Sequence, residues 1–295
     1  MSKKYNSGNF QTEPIGDHLH NIGVHFTIAK GFTYAAKTIY ELGGTTFQFF
    51  SRNPRGSKAK VYLDKDITQF QRLREEYKLG PIMAHAPYTI NLASPNESLR
   101  SFSREVVNDD IIRMDALGIE YYNLHPGNYL GEDKSEGIKQ IIVGLNEAIT
   151  KDQGITVLLE TMSGKGSEIG SRFEELRQII DGIVFNSKVG VCMDLCHMFS
   201  SGYDIVHHLV DVMNEFDQVI GINRLKGVHL NDSKNGFNSK KDNHAPIGEG
   251  HIGLKATLQL MEHPQLCNLP FYLETPLEDE GHRQEIQMLK SNLQK

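Results

Sequence analysis

The feature that most constrains the fold is a repeat. Eight short apolar stretches recur, at residues 22–27, 45–50, 81–88, 121–127, 155–161, 189–197, 225–230 and 269–275. Amphipathic stretches separate them, with helices expected at about 32–42, 67–77, 98–117, up to 149, 173–180, one more before the stretch at 225, 254–261, and a last one closing the chain. Strands that alternate with helices build a parallel sheet. Eight such units in 295 residues match the size of a TIM (β/α)8 barrel. A doubly wound open sheet is the other arrangement, but no Gly-x-Gly-x-x-Gly follows the first strand. No linker or compositional shift divides the chain, so residues 21–295 are expected to form one barrel domain behind a polar arm of residues 1–20.

The strand ends carry the chemistry. Strands three to eight are expected to end at His85, His125, Glu160, Asp194 with His197, His229 and Glu274. The polar loop after strand seven returns with Asp242 and His244, whose spacing puts both side chains on one side of an extended backbone. A TIM barrel gathers its active site at the C-terminal ends of the strands, so these nine side chains are expected to share one pocket. Four are carboxylates, and two like charges 4 Å apart repel by about 4 kcal/mol at an effective dielectric of ~20. Such a cluster needs cations at neutral pH. Imidazole and carboxylate donors suit Zn²⁺ or a similar divalent ion. Nine donors exceed one tetrahedral zinc and fit two or three metals, an arrangement typical of phosphatases and nucleases. Of the other histidines, His25 and His251 are expected to face the pocket, His207 and His208 to sit on a helix, and His263 and His282 to be exposed.

A net charge of −6 argues against a protein that holds nucleic acid by bulk charge. A local basic groove remains open to Arg52, Arg55, Lys58, Lys60, Arg224, Lys226, Lys234, Lys240 and Lys241. Three cysteines do not make a disulfide framework, and Cys192 and Cys196 are expected to act as small hydrophobes in the sixth strand. No apolar run approaches the ~20 residues of a membrane span, and residues 1–20 lack an apolar leader core. The chain is therefore expected to be cytoplasmic, and, without an exposed apolar stripe, monomeric.

Several strings are specific. They are His-Ala-Pro-Tyr-Thr-Ile-Asn-Leu-Ala from His85, Asn-Leu-His-Pro-Gly from Asn123, Leu-Glu-Thr-Met-Ser-Gly-Lys-Gly from Leu159 and Val-Cys-Met-Asp-Leu-Cys-His from Val191. Gly-Val-His-Leu-Asn-Asp from Gly227, Asp-Asn-His from Asp242 and Leu-Glu-Thr from Leu273 complete the set. In these the chain resembles the endonuclease IV family of apurinic/apyrimidinic (AP) endonucleases over nearly its whole length from Ile22. The resemblance implies three zinc ions. His85, His125 and Glu160 would hold the first, and Glu160 would bridge to a second held also by Asp194, His229 and Glu274. His197, Asp242 and His244 would hold the third. It also implies hydrolysis of the phosphodiester 5′ to an abasic site in double-stranded DNA, leaving a 3′-hydroxyl and a 5′-deoxyribose phosphate, and cleaning of blocked 3′ ends. In that chemistry the cluster activates hydroxide and stabilises the leaving oxygen, with Glu160 as the orienting catalytic carboxylate. Arg55 and Tyr88 would wedge into the gap left by the missing base. The arm is longer than the family leads one to expect, and Lys165 and Glu168 replace the Gln and Asn of one of its branches. A xylose isomerase-like sugar isomerase or epimerase is the alternative enzyme, but it has no need of the Asp242/His244 pair with His197. A module that only binds damaged DNA has no need of the metal set at all.

Overall fold

The computed structural model describes residues 20–56 and 58–293, so all of the expected arm except His20 lies outside the described residues. Eight parallel strands close into a barrel in chain order. Counting barrel strands alone, they are β1 (Asn21–Phe26), β2 (Thr46–Phe50), β3 (Met83–His85), β4 (Tyr121–Leu124), β5 (Thr156–Glu160), β6 (Val189–Asp194), β7 (Leu225–Leu230) and β8 (Pro270–Leu273). Closure comes from β1, which pairs with β2 on one side and with β8 on the other, Asn21 opposite Pro270. The helices are α1 (Phe32–Glu41), α2 (Asp64–Glu76), α3 (Glu97–Ala116), α4 (Lys134–Ala148), α5 (Phe173–Gly182), α6 (Leu195–Ser201), α7 (Leu209–Val219), α8 (Gly253–Met261) and α9 (Asp279–Leu293). Among the described residues no helix is long and apolar enough to cross a membrane.

Each strand has two faces to fill. Outward residues such as Val24, Phe47, Ala84, Tyr122, Val157, Val191, Val228 and Phe271 pack into the main core beneath the helices. Inward residues alternate with them. A first inward layer is the apolar plug Met83, Leu158, Cys192 and Tyr272. Gly227 leaves room for it: a Cβ there would stand 3.1 Å from both Met83 and the Tyr272 ring. One register step further, every strand presents a polar residue inward, giving the ring His25, Gln48, His85, Asn123, Glu160, Asp194, His229 and Glu274. A period of two and a closed barrel are enough to gather these eight.

Some local expectations need correction. The sixth strand stops at Asp194, and α6 begins at once, so His197 and Cys196 are helical. Asp194 is the N-cap of that helix and accepts the His197 N–H at 2.8 Å, a turn chemistry that outweighs strand propensity. His207 and His208 lie in the turn before α7. His282 is buried beside the Thr275 carbonyl rather than exposed.

The loop after β2 is tied down from behind. Asp110 of α3, fully buried, accepts from Ser51 Oγ at 2.6 Å, from Arg52 Nε at 2.9 Å and from the Tyr122 hydroxyl at 3.2 Å. Arg52, expected among the cations of an open groove, is instead packed into this network with its side chain 8% exposed. Asp110→Ala is expected to destabilise the fold by about 3 kcal/mol or more, because it removes the buried partner of a buried charge. A urea melt giving a stability within about 0.5 kcal/mol of wild type would contradict that.

Candidate metal centre

Glu160 stands at the middle of the pocket, 1% exposed. Its Oε2 lies 3.2 Å from His85 Nε2 and 3.4 Å from His125 Nε2. Its Oε1 lies 3.2 Å from His197 Nδ1 and 3.3 Å from His229 Nδ1. His229 Nδ1 is also 3.6 Å from Asp194 and 3.5 Å from Glu274. Asp242 Oδ1 sits between His197 Nε2 at 3.3 Å and His244 Nε2 at 3.1 Å, and His244 reaches Asp194 at 3.8 Å. All nine predicted donors therefore form one connected cluster. Within it, His85–His125–Glu160, Glu160–Asp194–His229 and Asp194–His197–His244 each bring ligand atoms within 4.8 Å of one another.

The imidazoles are aimed by what lies behind them. His85 Nδ1 donates to the Ala86 carbonyl at 2.7 Å and His244 Nδ1 to the Glu274 carbonyl at 2.8 Å, so each turns Nε2 into the pocket. His229 is reversed. Its Nε2 donates to Gln48 Oε1 at 2.7 Å, which leaves Nδ1 facing inward. Metal-binding histidines are commonly oriented through the opposite ring nitrogen in this way. Among the described residues, His229 Nδ1 and His197 Nε2 are buried without a hydrogen-bond partner, although carboxylate oxygens surround both. Buried polar atoms are rarely left so, and a divalent ion satisfies them, so the residues fit a metal cluster.

His25 faces the pocket as expected, but sequence reasoning missed the other residues that support the ligands. Gln48 also donates through Nε2 to Glu274 Oε1 at 2.6 Å, and His25 Nδ1 donates to the same oxygen at 2.9 Å. Asn123 Nδ2 donates to Glu160 at 2.6 Å and Asn231 Nδ2 to Asp194 at 2.7 Å. Neither Gln nor Asn is a usual metal ligand, so a search for ligand types passes over them. The available signal is Gln48 between Phe47 and Phe49, a polar residue at an inward position. Gln48→Ala is expected to weaken metal retention about 10–100-fold, measurable by chelator competition, with the barrel's circular dichroism intact.

Before any metal binds, the imidazoles and carboxylates of the pocket would stabilise one another's charges. Burial alone would favour neutral Glu160, but the imidazoles of His229 and His125 outweigh it and hold the carboxyl well below its usual range. Burial likewise opposes the charge on Asp242, yet the His197 and His244 imidazoles beside it keep its carboxyl low. His244 answers in kind: against burial, Asp242 pushes it up to about 9. His197 rises well above its ordinary value for the same reason, with Asp194 the first carboxylate to oppose burial. His25 goes the other way, lowered by burial despite Glu274.

Tyr88 rises from the rim, 62% exposed, its ring 5.1 Å from Phe50 and 5.9 Å from His125. Arg55 is exposed in the turn after β2, where its N–H bonds Asn53 Oδ1 at 2.9 Å. Lys58, Lys234 and Lys241 are also exposed on loops at this end. Two other expected cations are not here. Arg224 and Lys226 belong to the opposite, N-terminal end of β7, where Arg224 bonds the Val189 carbonyl at 2.9 Å. Lys60 is spent on the Ile28 and Ala29 carbonyls, both at 2.8 Å. His251 is exposed and hydrogen-bonds through its backbone rather than reaching into the pocket. Glu168 closes its own loop, accepting from Ser163 Oγ and the Lys165 N–H, both at 2.9 Å.

A closed eight-stranded barrel with its donors at the C-terminal rim defines a class, and residues 36–292 match the family model described as a xylose isomerase-like TIM barrel. A D-tagatose 3-epimerase-like protein shares the fold, with a TM-score of 0.72 at 24% identity, covering 93% of this chain and 97% of that one. Likeness is greater elsewhere. The probable endonuclease 4 of Alkaliphilus oremlandii is 52% identical over 270 residues, 92% of this chain and 96% of that protein. The crystal structure of endonuclease IV from Thermus thermophilus superposes with a TM-score of 0.83 at 31% identity, covering 93% and 99% of the two chains. The chain belongs to the endonuclease IV family.

Proposed function

We propose that this chain is a metal-dependent AP endonuclease that hydrolyses the DNA backbone 5′ to abasic sites and removes blocking groups from 3′ ends. The observation that carries the reading is Glu160 set among four imidazoles, with three further carboxylates in the same cluster. His85, His125 and Glu160 would hold one zinc; Glu160, Asp194, His229 and Glu274 a second; His197, Asp242 and His244 a third. When bound, the metals supply a nucleophile at neutral pH and positive charge for the leaving oxygen. Glu160 acts as the catalytic carboxylate by holding its two oxygens toward different imidazole pairs, which suits it to span two positions. Arg55 and Tyr88 stand at the rim, where a cationic and an aromatic side chain suit insertion into a stack that lacks a base. An abasic sugar has no base to unpair, which makes it cheap to turn out of the helix. The protein would work as a monomer in the cytoplasm on double-stranded DNA.

The test is incision of a labelled duplex carrying one tetrahydrofuran abasic analogue, run beside metal analysis. The analogue cannot undergo β-elimination, so a nick is hydrolytic. Incision 5′ to the analogue by protein with three zinc per chain, lost in His229→Ala, is the expected result. No incision by fully metallated protein would sink the proposal and favour a screen of sugars for isomerisation, the chemistry of the barrel relatives.

A further inference from the structure

The glycine string that ends the loop after β7, Gly248-Glu-Gly-His-Ile-Gly253, supplies nothing to the metal pocket directly. It wraps a carboxylate. Asp232, fully buried two residues past β7, accepts four backbone N–H groups. Oδ1 takes Ser233 at 2.7 Å and Ile252 at 2.8 Å, and Oδ2 takes Gly248 and Gly253, both at 3.0 Å. Gly248 and Gly253 have φ of +87° and +80°, where other residues are strained. A Cβ on Gly250 would lie 2.4 Å from Asp232 Oδ1.

The same carboxylate governs the loop's other end. Asp232 pairs with Ala245 and Ser233 with His244 in an antiparallel ribbon, and the Lys234 N–H reaches the Asn243 carbonyl at 2.9 Å. The loop that carries Asp242 and His244 thus leaves and returns at one buried anion. Closing a loop of about 20 residues costs entropy, and four charge-assisted hydrogen bonds offset that cost before any metal arrives.

We infer that Asp232 is a positioning residue for the third metal position, acting through the latch it forms with Gly248–Gly253 rather than by touching metal or substrate. The inference rests on the three-metal reading above. Asp232→Asn puts an amide N–H₂ where two of the four N–H groups now find an acceptor, and Gly250→Ala crowds the carboxylate from the other side. Each variant is expected to lose one of three zinc equivalents on dialysis against a weak chelator, that position weakening about 10–100-fold, while the other two equivalents and the circular dichroism stay native. Three equivalents held as tightly as in wild type would overturn the latch, and so would joint loss of all three, which marks general damage. If Asp232→Asn does not fold, Gly250→Ala decides by the same criteria. A wild-type chain that takes up fewer than three metals would instead sink the three-metal reading itself.

Discussion

Glu160→Gln is expected to lower incision of an abasic duplex by well over 100-fold, beyond the 10–100-fold typical of residues that only support a ligand. The substitution keeps the side chain's size and removes its charge. The new amide must turn N–H₂ either toward Asn123 Nδ2, a donor now 2.6 Å from Oε2, or toward the His197 and His229 nitrogens near Oε1. Either way a donor meets a donor or a ligand nitrogen. Two of the proposed metal positions share this residue, so metal content should fall with activity. Single-turnover incision and metal analysis on one preparation check both. Full metal content with activity within tenfold of wild type would remove Glu160 from the centre of the chemistry.

Stripping the metals should make stability depend on pH in a direction the pocket dictates. In the metal-free chain Asp242 pushes His244 up to about 9 against burial, and His197 is also raised. Groups raised on folding stabilise the fold below their unfolded value and lose that contribution as pH climbs through the folded one. Glu160, Glu274 and Asp242 are lowered, so their contribution is present above about pH 4.5 and fades on acidification. Chelated protein should therefore be most stable between about pH 5 and 6.5 and weaken steadily as pH climbs from there through about 9. The His244–Asp242 pair accounts for on the order of 2 kcal/mol of this after allowing for the solvent that reaches Asp242. Zinc displaces the imidazole protons, so loading should release protons at pH 7 and tighten as pH rises. Calorimetry in two buffers of different ionisation enthalpy measures the release. Metal uptake without proton release would show that the histidines are neutral in the free pocket.

Arg52 and His282 show where a sequence falls short. Both are of types usually found exposed or at pockets, and both are buried because distant residues supply partners: Asp110 for Arg52 and the Thr275 carbonyl for His282. Arg224 and Lys226 fail differently. They precede the inward-facing end of β7 by only a few residues, yet a strand's length separates the two faces of a barrel, so they point away from the pocket's rim. His197 falls where the apolar pattern suggests a strand end, although its donor atom reaches the pocket from the first turn of α6.

The repeat of short apolar strands and amphipathic helices determined the barrel, because a parallel strand buried on both faces leaves little choice of layer order. The polar residues that end those strands determined the metal pocket, because alternation and closure carry them to one point. Only the tertiary structure decided how each ligand is aimed. That choice belongs to residues outside the ligand pattern, such as Gln48 behind His229 and the helix cap at Asp194 that turns His197 inward. A hydrogen bond between residues 181 positions apart leaves no local periodicity to read, so it becomes visible only when the barrel has brought its two ends together.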